Sequence, residues 1–164
     1  MSAESSLFPA PRHDHDACIA EGLARAEEVC RCRRERLTEN RRQVLELLLA
    51  EHRPAGAYDI LERFDWKGRR AAPAQIYRAL AFLETMGLVH RIASRNAYVA
   101  CSGQGEGHGT VFLVCEQCGT VAEPRAADLG RTVHELAGDF GFELRIHTLE
   151  VMGRCPECVQ AEEA

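Results

Sequence analysis

Cys115-Glu116-Gln117-Cys118-Gly119 is the first of two cysteine knuckles, and Cys155-Pro156-Glu157-Cys158 is the second. Each follows a segment with the pattern of a β-strand, so each can present two sulfurs at a strand end. Four thiolates form a closed tetrahedral site that suits zinc, with Zn–S bonds of about 2.3 Å. A redox pair or buried thiols would explain a single C-x-x-C motif. Two such motifs predict a structural zinc on Cys115, Cys118, Cys155 and Cys158.

Length and composition exclude several classes of protein. The chain has 164 residues, enough for one medium or two small domains, and its 46% hydrophobic and 27% charged content is that of a globular protein. No apolar run approaches the roughly 20 residues of a membrane helix, and no secretion signal is visible. The 8 cysteines therefore favour metal ligation over disulfides. We expect a cytoplasmic protein with no membrane partner and no small-molecule substrate.

Charge is distributed unevenly along the chain. Residues 31–95 contain 14 Lys/Arg and 8 Asp/Glu, a net charge of +6, whereas residues 96–164 contain 4 and 11, a net charge of −7. A basic block beside an acidic one indicates that one domain faces a polyanion and the other does not. Uneven solvation of the surface is the alternative explanation.

The first two thirds of the chain read as helices followed by a hairpin. Residues 1–15 have little apolar content and are expected to be a disordered tail. Apolar periodicity predicts helices from Asp16 to about Cys30 and over 39–51, 57–64 and 73–86, with Cys30 in the core. Strands Val89–Ala93 and Ala97–Cys101 follow. This order predicts a winged helix-turn-helix domain over residues 16–101.

The helix ahead of the hairpin enters the major groove in helix-turn-helix proteins. Near its start it carries Gln75, Tyr77 and Arg78. Arginine can bond guanine, and glutamine can bond adenine, through two atoms each. A basic loop lies just upstream and contains Lys67, Arg69 and Arg70. These residues predict binding to double-stranded DNA, although the same side chains could simply cover the helix.

The remainder of the chain reads as a second domain. Residues 102–110 contain four glycines and are predicted to be a hinge. Strands over 111–115, 120–123 and 142–151 and a helix over 126–138 form a β-β-α-β unit, predicted over residues 111–158 with a tail at 159–164. Such a unit could complete its sheet with a second copy, which favours a homodimer. The predicted class is α+β, with an N-terminal winged helix-turn-helix domain and a C-terminal α/β dimerisation domain.

A second set of metal ligands combines both domains. His90 lies on the first wing strand, Cys101 ends the second, His108 lies in the hinge, and Glu123 ends the strand after the first knuckle. Imidazole, thiolate and carboxylate groups all bind zinc. An ion shared by these four residues would favour the arrangement that brings them together. Each residue taken singly also has an ordinary structural explanation.

Several motifs resemble the ferric uptake regulator superfamily over roughly residues 20–158. Arg36-Leu37-Thr38-Glu39-Asn40-Arg41-Arg42 is similar to its R-L-T-P-Q-R motif, and Ile76-Tyr77-Arg78-Ala79-Leu80 to its V-Y-R-A-L motif. Gly87-Leu88-Val89-His90 and the two knuckles match as well. The Ala57–Leu61 and Asn96–Cys101 segments, with a single His108 where iron sensors have a histidine-rich run, most resemble the zinc uptake regulator branch.

The resemblance implies a homodimeric repressor that uses zinc as corepressor at the operators of zinc-uptake genes. It implies two zinc ions per chain, one structural on the four knuckle cysteines and one regulatory. The regulatory ion would bind His90, Cys101, His108 and Glu123. Tyr58 and Arg78, with Tyr77 beside them, would contact DNA.

Other functions remain open at the level of sequence. A zinc-dependent hydrolase needs an open coordination position and a general base, whereas both predicted sites have four protein ligands. A thiol redox switch could use the same knuckles. An iron or peroxide sensor of the same superfamily is the nearest alternative, although the thiolate of Cys101 favours zinc.

Overall fold

The computed structural model describes residues 8, 15–51, 53–65, 72–101, 109–144 and 147–163. The contacts divide the chain into two compact units, one of residues 10–101 and one of residues 102–164 together with 1–9. The first is mainly helical and the second is built on a small sheet, so the predicted α+β class is confirmed. Among the described residues, no helix has both the length and the apolar character that a membrane crossing requires.

The first unit contains four helices, α1 (His15–Cys32), α2 (Glu39–Leu49), α3 (Ala57–Arg63) and α4 (Pro73–Thr85). Their apolar faces meet in one core, because burying these stripes removes hydrocarbon from water. From α1 this core takes Leu23, Ala26 and Cys30. Cys30 is 2% exposed, which confirms that it is a core residue.

Polar side chains at the third helical position mark the starts of α3 and α4. The Asp59 carboxylate accepts a 2.9 Å hydrogen bond from the N–H of Gly56. The amide oxygen of Gln75 accepts one of the same length from the N–H of Ala72. Thr38 is the N-cap residue of α2, but its side chain makes no cap hydrogen bond.

The hairpin after α4 consists of β1 (Val89–Ile92) and β2 (Ala97–Ala100), paired antiparallel. Gly87, at φ +70°, stops α4 and turns the chain into β1. The N–H of Leu88 then donates to the carbonyl of Leu83. This hydrogen bond is expected where a glycine with positive φ ends a helix. Helix α4 is therefore followed directly by the wing.

The second unit contains β3 (Gly109–Cys115), β4 (Val121–Ala122), α5 (Ala127–Asp139), β5 (His147–Gly153) and α6 (Pro156–Glu163). The strand order is β4-β3-β5, with β4 antiparallel and β5 parallel to β3. The predicted β-β-α-β order is present. The parallel register pairs Gly109 with His147 and Cys115 with Gly153.

Several boundaries differ from the sequence predictions. Strand β3 begins at Gly109, so the last two residues of the predicted hinge belong to the sheet. Strand β5 begins at His147 rather than at 142, because its pairing with β3 begins with His147 opposite Gly109. Helix α6 occupies most of the predicted tail, since the N–H of Val159 donates to the carbonyl of Cys155 and makes the second knuckle the first helical turn. Residues 1–7, 9–14 and 102–108 lie outside the described residues.

Two glycines in open space give a test of these helix ends. A Cβ atom on Gly87 or Gly138 would meet no atom within 4 Å, but only Gly87 has a positive φ. We expect Gly87→Ala to lower the free energy of unfolding by about 1 kcal/mol because of backbone strain. Gly138→Ala, within α5, should raise it by about 0.5 kcal/mol. Urea unfolding of the zinc-loaded protein measures both, and shifts of the same sign would contradict this account.

Candidate metal centre and nucleic-acid interface

The four knuckle cysteines lie together in the second unit, with sulfur atoms all within 4.8 Å of one another. The Sγ atoms of Cys115 and Cys158 are 3.8 Å apart, and those of Cys118 and Cys155 are 3.7 Å apart. A regular tetrahedron with zinc–sulfur bonds of about 2.3 Å has sulfur atoms about 3.8 Å apart. The donor set therefore fits one zinc ion without rearrangement. The same distances are far longer than the roughly 2.05 Å of a disulfide.

Parallel pairing explains why two distant knuckles meet. Cys115 ends β3 opposite Gly153, the last residue of β5, so both strands deliver their knuckles to the same end of the sheet. The N–H of Glu116 donates to the carbonyl of Gly153 at 2.8 Å, which extends the pairing into the first knuckle. Gly119 takes φ +78° and completes the turn after Cys118.

Backbone hydrogen bonds lower the pKa values of the thiols, whereas burial raises them. Burial tends to raise the pKa of Cys115, but the N–H groups of Cys118, Cys155 and Gln117 together lower that pKa to about 6. For Cys158, burial and the three neighbouring thiols raise the pKa to about 12. Thiols this close cannot all ionise without a compensating cation, and a zinc ion supplies two positive charges at their centre.

Two neighbours of the cysteine cluster were missed by the sequence analysis. The hydroxyl of Thr120 is 3.3 Å from Sγ of Cys118, where it can donate to the thiolate of a metal-bound site. Phe8 packs against the cluster as a partly buried apolar side chain. Thr120 follows the first knuckle by two residues and could have been inferred from that spacing. Nothing in the sequence indicated the contact of Phe8 with the cluster, since this residue lies in a segment of low apolar content.

The hairpin places two residues of the second predicted metal set side by side. His90 on β1 is paired with Val99, and Cys101 lies two residues further along on the same face as Val99. A ring nitrogen of His90 and Sγ of Cys101 are within 4.8 Å of each other. This distance suits two ligands of one ion.

The other two residues of this set belong to the second unit. Glu123 follows β4 and is 8% exposed, an unusual environment for a carboxylate. His108 lies outside the described residues. Buried carboxylates are usually paired with positive charge or bound to a metal. Glu123 therefore has the chemistry of a ligand, and the complete set of His90, Cys101, His108 and Glu123 stays a prediction.

Helix α4 presents the predicted DNA-binding side chains to solvent. Tyr77 and Arg78 are exposed, and Tyr58 on α3 is 66% exposed. Gln75 is half-buried, and its amide oxygen caps the helix through the N–H of Ala72. The basic residues Lys67, Arg69 and Arg70 lie outside the described residues.

Large apolar side chains are exposed on α5, just beyond it and on β5. They are Leu129, Leu136, Phe140, Phe142, Val151 and Met152, with exposures from 38% to 81%. Helix α5 buries none of its residues in the single chain, although its apolar positions form one face. Exposed apolar side chains on one face of a helix are typical of an interface with another protein surface.

Comparison with known proteins agrees with this geometry. The ferric uptake regulator family model matches residues 33–152. The zinc uptake regulation protein of Escherichia coli (strain K12) is 38% identical over 141 residues, covering 85% of this chain and 82% of that protein. The zinc uptake regulation protein of Mycobacterium tuberculosis (strain ATCC 25618 / H37Rv) is 28% identical over 105 residues, covering 62% and 78%.

Solved structures are similar over nearly their whole length. A zinc uptake regulator complexed with zinc and DNA matches with a TM-score of 0.83 at 37% identity, over 89% of this chain and 98% of that chain. The crystal structure of holo XcZur matches with a TM-score of 0.77 at 35% identity, over 87% and 99%. A family match over most of the chain, with relatives this similar in sequence and fold, establishes the family. The chain belongs to the ferric uptake regulator family.

Proposed function

We propose that this protein is a zinc-responsive repressor that binds operator DNA as a homodimer when its regulatory zinc is bound, and so controls zinc-uptake genes. The observation that carries the proposal is the group of four cysteines with the dimensions of a zinc site, in a chain 38% identical to a zinc uptake regulation protein. The family consists of transcription regulators, which weighs against the zinc-dependent hydrolase.

The proposal assigns two zinc ions to each chain. The ion on Cys115, Cys118, Cys155 and Cys158 is structural, because four thiolates leave no position open for water or substrate. The second ion is regulatory and binds His90, Cys101, His108 and Glu123. Support for it comes from the proximity of His90 and Cys101 and from the burial of Glu123.

DNA contact is assigned to α4 and to the residues around it. Arg78 and Tyr77 reach base edges from α4, Tyr58 contributes from α3, and Lys67, Arg69 and Arg70 neutralise phosphates. Reading adenine through both amide atoms would require Gln75 to give up its helix cap, since its oxygen is engaged. Gln75 therefore contributes to DNA binding through its amide nitrogen.

The homodimer is assigned to the second unit. The exposed Phe140, Phe142 and Leu136 would lose their contact with water against a second copy. Within the described residues, β5 pairs only with β3, so its other edge can pair with another strand. Two protomers would then present two copies of α4 to the half-sites of an inverted repeat.

The nearest alternative is a sensor of another signal within the same family. The peroxide operon regulator of Bacillus subtilis (strain 168) is 27% identical over 77% of this chain. The thiolate of Cys101 favours zinc over the harder Fe²⁺ ion. The metal at the second site distinguishes a zinc sensor from an iron or peroxide sensor, because a peroxide or iron sensor requires iron there for its response.

Removing one ligand from each zinc set should have two different effects. Cys101→Ser should abolish zinc-dependent DNA binding and leave a folded dimer with one zinc per chain. Cys115→Ser should unfold or dissociate the protein, because the structural zinc contributes folding energy. Metal analysis, size-exclusion chromatography and DNA binding measure the three properties. Cys32→Ser, at an exposed cysteine, is the matched control. DNA binding unchanged in Cys101→Ser would refute the regulatory site.

Arg78→Ala should weaken binding to an A·T-rich inverted repeat by about 1–3 kcal/mol and relax specificity at one base pair. The reason is the loss of a bidentate contact to a base edge. Fluorescence anisotropy at fixed salt and saturating zinc measures the change. Arg131→Ala, at an exposed arginine of α5, should bind as the unmodified protein does. Equal effects of the two substitutions would count against a base contact.

Acid should release the structural zinc, because zinc binds only thiolates and protons compete for the same sulfur atoms. The N–H groups around Cys115 hold its pKa at about 6, which opposes protonation of this thiolate at neutral pH. Zinc is therefore retained at neutral pH and lost as the pH falls. A zinc-sensitive dye in an acid titration of Cys101→Ser, which lacks the regulatory ion, gives the midpoint. Zinc release that does not increase as the pH falls would contradict the four-thiolate assignment.

A further inference from the structure

Arg25 makes a contact that neither the helical core nor the DNA-binding face explains. This partly buried residue of α1 donates a 3.0 Å hydrogen bond from Nη2 to the carbonyl oxygen of Cys101, which is 76 positions away in the chain. The bond is internal to the first unit. It ties the first helix of the DNA-binding unit to the last residue of the wing.

The contact completes a set of restraints on Cys101. Its N–H donates to the carbonyl of Leu88 at 2.9 Å, and its carbonyl accepts from Arg25. Because its N–H and its carbonyl are both hydrogen-bonded, the backbone of Cys101 is held in place, and this sets the direction of its Cα–Cβ bond. The sulfur then lies within 4.8 Å of a ring nitrogen of His90.

Metal affinity depends on such restraints, because a ligand that is free to move loses conformational freedom when the ion binds. We infer that Arg25 is a positioning residue of the regulatory zinc, which holds Cys101 beside His90 before the ion arrives. This inference rests on the proposed function, since it assumes that His90 and Cys101 are ligands. Arg25 touches a ligand residue, not the ion.

The position of Arg25 also connects Cys101 to the helices of the first unit. On α1 it lies beside Ala26 and two residues after Leu23, both of which belong to the core of the first unit. Two residues after Arg25, Glu27 pairs with Arg42 of α2. The hydrogen bond from Arg25 therefore links Cys101 directly to α1.

The chain offers a matched control for the chemistry of this contact. Arg33, after the end of α1, donates from Nη1 to the carbonyl of Thr85 at 3.0 Å. Both arginines thus make one long-range hydrogen bond to a backbone carbonyl. Thr85 ends α4 and is not a proposed ligand, so loss of the Arg33 contact should affect stability without changing the metal site.

The experiment titrates Co²⁺ into full-length protein whose structural site holds zinc. Absorption from thiolate-to-cobalt charge transfer reports on Cys101. Arg25→Met, which keeps an unbranched apolar side chain but removes the donors, should weaken Co²⁺ binding about tenfold, as for other residues that orient metal ligands. Arg25→Lys should recover part of this loss because an ammonium group can still donate. Arg33→Met should titrate like the unmodified protein.

The other outcomes would contradict either the inference about Arg25 or the proposed regulatory site. Wild-type titration of Arg25→Met overturns the inference, and so do equal losses in Arg25→Met and Arg33→Met, which would indicate general destabilisation. If the unmodified protein takes up no second ion, or if Cys101→Ser keeps the charge-transfer band, the proposed regulatory site itself fails. That result differs from a failure of Arg25 alone, in which the second ion binds normally.

Discussion

Four sulfur atoms within 4.8 Å of one another are the constraint on which the second unit depends. Without a cation they cannot all be ionised, as the separation between the pKa values of about 6 for Cys115 and about 12 for Cys158 shows. A zinc ion would convert this repulsion into a cross-link between the ends of β3 and β5, the two parallel strands of the three-stranded sheet.

The two proposed metal sets differ in what an ion can do. All four knuckle cysteines come from one unit, so an ion there would stabilise the fold of that unit. The proposed regulatory set takes His90 and Cys101 from the first unit and His108 and Glu123 from the second. An ion with ligands from both units favours whichever arrangement of the units brings the ligands together. The proposal thereby assigns folding to one ion and signalling to the other.

Helix α4 carries buried core residues and the proposed DNA-contacting residues on adjacent positions. Ile76, Ala79 and Leu80 are buried, whereas Tyr77 and Arg78 between them point to solvent. Gln75 caps the helix, so the orientation of its start is set by the protein alone. A base-reading helix with its geometry set in this way loses little freedom on meeting DNA.

Sequence by itself determined the helix order, the wing and the cysteine set, because apolar periodicity and C-x-x-C spacing are local properties of the chain. It did not determine the strand boundaries, the helical continuation after Cys158, or the contacts of Phe8, Thr120 and Arg25. Those depend on pairing register and on residues far apart in the chain, such as Arg25 and Cys101. Only tertiary structure brings such groups within hydrogen-bond distance, since no local pattern encodes a contact across 76 positions.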